Sequence, residues 1–194
     1  MINFLSNNFY RVLSRSNSIV LSSSYFSRKS EFLLFLLTAF KVRPVYHDNY
    51  SNYKSATYNE RSGFTPFTQA ENKFENLLNK VILKDIPSSF VENYVDICTK
   101  SSHLYPRSTK AIFASTNWYF NELFKFSAGA LVESGALVLA TQHGGNHGSL
   151  KNMPVLDNEI KFSDYYFSWG WHWGKHNKKI MPMPATKLVG RKPI

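Results

Sequence analysis

The segment from Lys110 to Gly148 limits the possible folds most. Lys110-Ala-Ile-Phe-Ala-Ser115 is a short apolar run bounded by polar residues. Behind it, Phe120, Leu123, Phe124, Ala128 and Leu131 recur at helical spacing, which gives one inner stripe. Asn117 is expected to cap this helix, and Gly135 stands where a glycine ends one. Ala136-Leu-Val-Leu-Ala-Thr141 is a second apolar run without alternation, the pattern of a strand covered on both faces. Strand, helix and strand at this length form a parallel βαβ unit. The fold class is therefore α/β: a Rossmann-like parallel sheet with flanking helices.

The remaining segments extend the same alternation. Ser18 to Phe26 reads as a short strand entering a polar turn, residues 29–41 as a mostly buried helix, and Pro44 to Tyr46 as a second short strand. Residues 47–66 have no period and read as a loop. Thr68-Gln-Ala-Glu71 and Ser89-Phe-Val-Glu92 match capping boxes. The first opens a helix with Phe74, Leu77, Leu78 and Val81 on one apolar face. The second opens a helix through Thr99, with Phe90, Tyr94 and Ile97 inward, and Pro87 separates the two. Ile180-Met-Pro-Met-Pro184 reads as an extended linker. The longest apolar run, Phe32 to Phe40, is about half of the roughly 20 residues that a spanning helix needs. The first ten residues lack the basic and then apolar pattern of a signal peptide.

A hydrophobic content of 43% supports a real core and excludes a disordered composition. The net charge is +10, and the excess is denser late in the chain. Residues 1–140 carry 15 Lys and Arg against 10 Asp and Glu, and residues 141–194 carry 8 against 3. Such a balance suits anionic partners, although a solvated basic surface explains it equally well. Cys98 is the only cysteine, so neither an internal disulfide nor a cysteine-based zinc site is available. It reads as a small core residue.

The chemistry concentrates directly after the second apolar run, in Gln142-His-Gly-Gly-Asn-His-Gly148. In α/β domains ligands bind at the carboxyl ends of strands. His143 there has a pKa range suited to a general base. Gly144, Gly145 and Gly148 offer positive φ and close backbone approach, and successive N–H groups can cradle an anion. A tight turn whose histidine only bonds a neighbouring carbonyl is the plainer alternative. The loop is neither a P-loop nor a G-x-G-x-x-G turn. His143 and His147, like His172 and His176, stand four apart, but the surrounding glycines argue against a helix, so no metal site is expected. Asp157, Glu159 and Asp164 could each orient a histidine or hold a hydroxyl. Asp164 is the first choice, because it stands among apolar residues. Trp169, Trp171 and Trp173 alternate; two are expected in a packed corner and one is left open for stacking on a ligand.

Taken together, these residues resemble a family of transferases of bacterial surface-carbohydrate biosynthesis. The resemblance rests on Ile86-Pro87, Glu92-Asn-Tyr94, Lys110 to Ser115, Glu133-Ser-Gly135, Gln142-His-Gly-Gly145 with Gly148, and Ser163-Asp164 with Trp169-Gly-Trp171. It covers about residues 65–190. That family is similar to two-domain glycosyltransferases of the GT-B type, in which an N-terminal Rossmann-like domain holds the acceptor and a C-terminal one the nucleotide-activated donor. The resemblance implies that His143 is the base. It places Gln142, Gly144, Gly145, His147, Gly148, Asp164, Trp169 and Trp171 at the substrates, with no cofactor. Where the family loop continues with a glycine and an aromatic residue, this chain has Asn146-His147. The implied domain plan is an acceptor-side domain over 1–175, then a linker and the start of a missing donor domain over 176–194. The implied partners are a nucleotide-activated sugar donor and a carbohydrate or lipid-linked acceptor, with no nucleic acid. The expected location is cytoplasmic, with peripheral contact at the inner face of the membrane. The basic segment from Lys175 to Lys192 is expected to attract the donor diphosphate. The competing expectations are a non-enzymatic module that binds a nucleotide or an anionic polymer, and an inactive remnant.

Overall fold

The computed structural model describes residues 2–14, 18–46, 61, 69–172 and 178–190. Six parallel strands form one sheet in the order β2-β1-β3-β4-β5-β6. The strands are β1 (Ile19–Ser22), β2 (Val42–Val45), β3 (Ala111–Ala114), β4 (Leu137–Thr141), β5 (Tyr165–Trp169) and β6 (Ile180–Met183). The helices are α1 (Ile2–Leu13), α2 (Arg28–Leu37), α3 (Lys73–Asp85), α4 (Tyr94–Ser101), α5 (Asn117–Phe120), α6 (Glu122–Glu133) and α7 (Pro154–Phe162). Short 3-10 turns cover Ser88–Phe90 and Thr186–Leu188. The sheet is the Rossmann-like α/β arrangement that the apolar runs imply. The order reverses between β1 and β3, and the loops after all six strands share one edge. That carboxyl edge is where such sheets hold ligands.

The core follows from the sequence of β3 and its neighbours. All four residues of β3 are buried, and Val20, Ile112 and Ala114 pack against Phe124, Ala128 and Leu131 of α6. A smaller cluster joins Ala140, Leu156 and Tyr166 between β4, α7 and β5. Gly135 has φ +88°, which lets α6 turn directly into β4.

Several expectations needed correction. The segment expected to be a linker is β6, paired with β5 from Tyr166↔Ile180 to Trp169↔Met183. Its Pro182 lies on one edge strand, and Pro44 lies on the other edge strand, β2. A residue without an N–H is tolerated at an edge and not inside a ladder. The helix after β3 is split in two. Asn121 caps α6 by accepting from Phe124 N at 2.9 Å, whereas Asn117 donates to Ser22 Oγ at 2.7 Å. Asn72 rather than Thr68, which lies outside the described residues, caps α3. Its Oδ1 accepts from Glu75 N, and the Glu75 carboxylate takes Glu71 N in return, so the reciprocal box is shifted along the chain. The expected inner face of α3 is not covered by the described residues, since Phe74, Leu77 and Val81 are exposed. Glu92 caps nothing, because it pairs with the Arg61 guanidinium; Phe90 and Tyr94 are exposed, and of the expected trio only Ile97 is fully buried. The helix expected to be mostly buried, α2, buries only Glu31 and Phe35. The expected loop over 47–66 lies outside the described residues apart from Arg61. Cys98 is half-buried on α4.

Two polar contacts fasten the N-terminal region to the sheet. Asn7 of α1 donates to Tyr46 O at 2.6 Å and accepts from Tyr46 N at 2.9 Å, just past β2. Glu31 of α2 is buried and accepts from Ser24 Oγ at 2.6 Å and Tyr46 Oη at 2.5 Å. Burial lifts the Glu31 carboxyl above the ordinary carboxylate range, against the opposing pull of those hydroxyls. A carboxyl with a raised folded pKa contributes most below its unfolded pKa, and that contribution is lost as pH rises through the folded value. Glu31→Gln, which cannot ionise, should therefore gain on the wild type as pH climbs from the ordinary carboxylate range towards neutral. Urea midpoints of both proteins across that range check this; a constant difference would contradict it.

Candidate functional site

The loop that follows β4 is shaped by the side chain of its first residue. Gln142 is buried and uses both ends of its amide. Its Nε2 donates to Gly144 O at 2.7 Å and to His147 O at 3.4 Å. Its Oε1 accepts from Trp169 N at 2.8 Å and Trp171 Nε1 at 2.7 Å. Gln142 therefore ties the end of β4 to the end of β5 and fixes the loop between them. Gly148 has φ +82°, and a Cβ there would lie 2.5 Å from the Trp171 ring. Only glycine fits that backbone and that contact. Gly144 and Gly145 need no positive φ, contrary to the expectation from their pairing. Their N–H groups donate to nothing among the described residues, and a Cβ at Gly145 would meet no atom within 4 Å.

His143 is half-buried at this edge, with 17% of its side chain exposed. Its Nε2 lies 2.7 Å from Glu159 Oε1, and Glu159, on α7, has no exposed side-chain surface. A carboxylate accepts only, so Nε2 is the donor in this contact. His147 is buried, with Nδ1 2.7 Å from Tyr166 Oη and 3.7 Å from Glu159 Oε2. The two imidazoles meet edge to face at 4.6 Å. Burial pushes the His147 ring down from its ordinary value, opposed by the charge of Glu159 and assisted by His143. Tyr119 of α5 stands over His143, with ring centroids 5.8 Å apart. Burial, and then the Glu159 charge, push the hydroxyls of Tyr119 and Tyr166 up, so both remain protonated. The assembly holds one buried anion among two imidazoles and two phenols.

The expected residues fall into three groups. His143, Gly144, Gly145 and His147 meet at the carboxyl edge, with Gln142 and Gly148 holding their loop. Trp171 is packed against Gly148 and held by Gln142, whereas Trp169 is half-buried and lines an apolar cleft of about 670 Å³ with Pro182, Met183, Pro184 and Leu188. Trp173 and His176 lie outside the described residues. Asp164 is not at the site. It lies at the start of β5, at the opposite edge of the sheet, exposed, and accepts from Val138 N at 2.8 Å. Of the basic segment, Lys175, Arg191 and Lys192 lie outside the described residues, and Lys179 donates to Ser163 O at 2.8 Å behind α7. Two expectations fail on geometry. His143 and His147 do converge, because a turn over 145–149 brings them together without a helix. Glu159, not Asp164, partners the histidine. The one local signal for it is helical spacing, since Leu156 and Glu159 share the buried face of α7.

A family model described as LIC12162 family transferase matches residues 1–194. The chain belongs to the LIC12162 family of transferases. No curated protein and no solved structure matches it. Transferase chemistry is thus the frame for a site built on a histidine, a buried carboxylate and unengaged backbone N–H groups.

The steric claim at Gly148 is open to a direct check. Gly148→Ala should destabilise the protein by on the order of 1–3 kcal/mol through strain at positive φ. It should also disturb the environment of the displaced Trp171. Thermal unfolding and tryptophan emission measure both, and a variant matching the wild type in each would contradict the packing described.

Proposed function

We propose that this transferase moves a glycosyl or similar group from a nucleotide-activated donor to an acceptor hydroxyl, with His143 as general base. The observation that carries the reading is the 2.7 Å contact between His143 Nε2 and the buried Glu159. Glu159 holds the proton on Nε2 and leaves Nδ1 free to accept. As the acceptor oxygen attacks, its proton passes to Nδ1 and the imidazolium is stabilised by the adjacent carboxylate. A carboxylate plays this part in Ser-His-Asp triads, where it fixes the tautomer without taking the proton. The N–H groups of Gly144 and Gly145 offer preorganised donors to negative charge developing at the reacting centre. Trp169 offers an apolar face to a sugar ring at the neighbouring cleft.

In this reading the six-stranded domain is the acceptor side of a GT-B-type enzyme of surface polysaccharide synthesis. No described helix is long and apolar enough to cross a membrane. Peripheral contact with a membrane that presents a lipid-linked acceptor is supported by apolar side chains exposed on α1 and α2, among them Phe9, Val12, Leu33 and Leu37.

The test is nucleoside diphosphate release by the full chain from a panel of UDP-, GDP-, CDP- and dTDP-activated sugars, with and without acceptor extract. Loss of a general base should lower turnover of His143→Ala by roughly 10²–10⁴-fold. Glu159→Gln should fall with it, because the amide can donate to Nε2 and so allow the wrong tautomer. Turnover of His143→Ala within a few-fold of wild type would remove the base role.

A further inference from the structure

The cluster that supplies the base has a second capacity that proton transfer leaves unused. One nitrogen of His143, one of His147 and a Glu159 oxygen all lie within 4.8 Å of one another, and the nitrogens that face the carboxylate are His143 Nε2 and His147 Nδ1. Glu159 Oε1 faces His143, but Oε2 has no hydrogen-bond partner and no contact with solvent. His147 Nδ1 lies 3.7 Å from Oε2. A buried carboxylate oxygen without a partner is costly, and a cation offsets that cost most directly.

We propose that His143, His147 and Glu159 form a zinc site, and that zinc bound there switches off the proton-accepting nitrogen of His143. Two imidazole nitrogens and one carboxylate form a donor set that zinc uses when it keeps a fourth position open. Magnesium and calcium prefer all-oxygen sets and are poorly served here. With zinc–ligand bonds of about 2.0–2.2 Å, tetrahedral donors stand a little over 3 Å apart, so modest side-chain rotations close the present spacings. The exposed flank of His143 leaves room for the fourth ligand, a water. The Tyr166 hydroxyl releases His147 Nδ1 and becomes free to bond the coordinated carboxylate, as outer-shell groups do.

The inhibitory consequence follows from counting protons. Neutral imidazole carries one. Without metal it sits on His143 Nε2 against Glu159, and Nδ1 has the lone pair. Zinc takes the Nε2 lone pair, the single proton moves to Nδ1, and Nδ1 becomes a donor. It can then no longer accept the proton of an attacking hydroxyl. Zinc binding stands by itself; its effect on turnover rests on His143 being the base.

The experiment strips the full chain with a chelator and titrates it with cobalt(II) chloride, following the visible d–d absorption. Zinc chloride then competes. The expected result is one cobalt per chain with the intense bands of low coordination number, displaced by zinc. His147→Ala and His147→Gln, each checked for folding by circular dichroism, should weaken binding by more than the roughly 10–100-fold that loss of an outer-shell partner costs. Zinc should lower nucleotide release by the stripped wild type. A stripped protein without a visible cobalt spectrum, or binding unchanged in both variants, overturns the site. Cobalt binding with turnover raised by zinc overturns the inhibition, and the base reading with it. Absence of cobalt binding beside an inactive His143→Ala leaves the base reading standing and removes the zinc site alone.

Discussion

A carboxylate without solvent contact lies near the carboxyl edge of the sheet, and its surroundings are arranged around that charge. An isolated buried anion would cost several kcal/mol even after relaxation. Glu159 avoids this with His143 at 2.7 Å and His147 at 3.7 Å. The compensation is incomplete, since one oxygen still has no partner. Incomplete compensation is expected of a group retained for reactivity rather than stability. It also explains why elements distant in sequence converge here: α5 brings Tyr119, the β4 loop both imidazoles, α7 the carboxylate and β5 Tyr166.

Holding these groups requires a loop of fixed shape, and a single amide provides it. Gln142 bonds forward to its own loop and across to Trp169 and Trp171. The ring of Trp171 then occupies the space beside Gly148 that any side chain would need. Rigid support is what a proton acceptor needs, since small misplacement of a catalytic group costs large factors in rate. The two glycines after His143 have the opposite character: nothing among the described residues uses their N–H groups.

Much of the sheet was legible in the sequence because parallel strands covered on both faces are uninterrupted apolar runs. The runs at 110–115 and 136–141 became β3 and β4, and Gly135 ended α6. Elements at the margin were harder to read. α1 is amphipathic, but the Asn and Ser residues within it mask its helical period in the sequence. The segment of β6 reads as a linker because prolines stand at 182, inside the strand, and at 184, just past it, a fair inference for an interior strand and a wrong one at an edge. Asn117 and Asn121 are equally good caps by composition, and the choice between them depends on Ser22, which comes from another strand. In the site, His143 and its glycines were visible as a motif, whereas its partner was not. Asp164 and Glu159 differ little in local sequence. Which of them faces the histidine is decided by the face of α7 that meets the sheet, and that is tertiary information.

The prolines of β2 and β6 also bear on how the molecule behaves among its own copies. An open parallel sheet invites another chain to continue its ladder, the usual start of edge-to-edge aggregation. Here both outermost strands have a missing donor in mid-strand, Pro44 on one flank and Pro182 on the other. A strand approaching either flank would find an interrupted row of donors. Among the described strands, the sheet is thereby protected at both flanks against self-templated growth by residues with no titratable group.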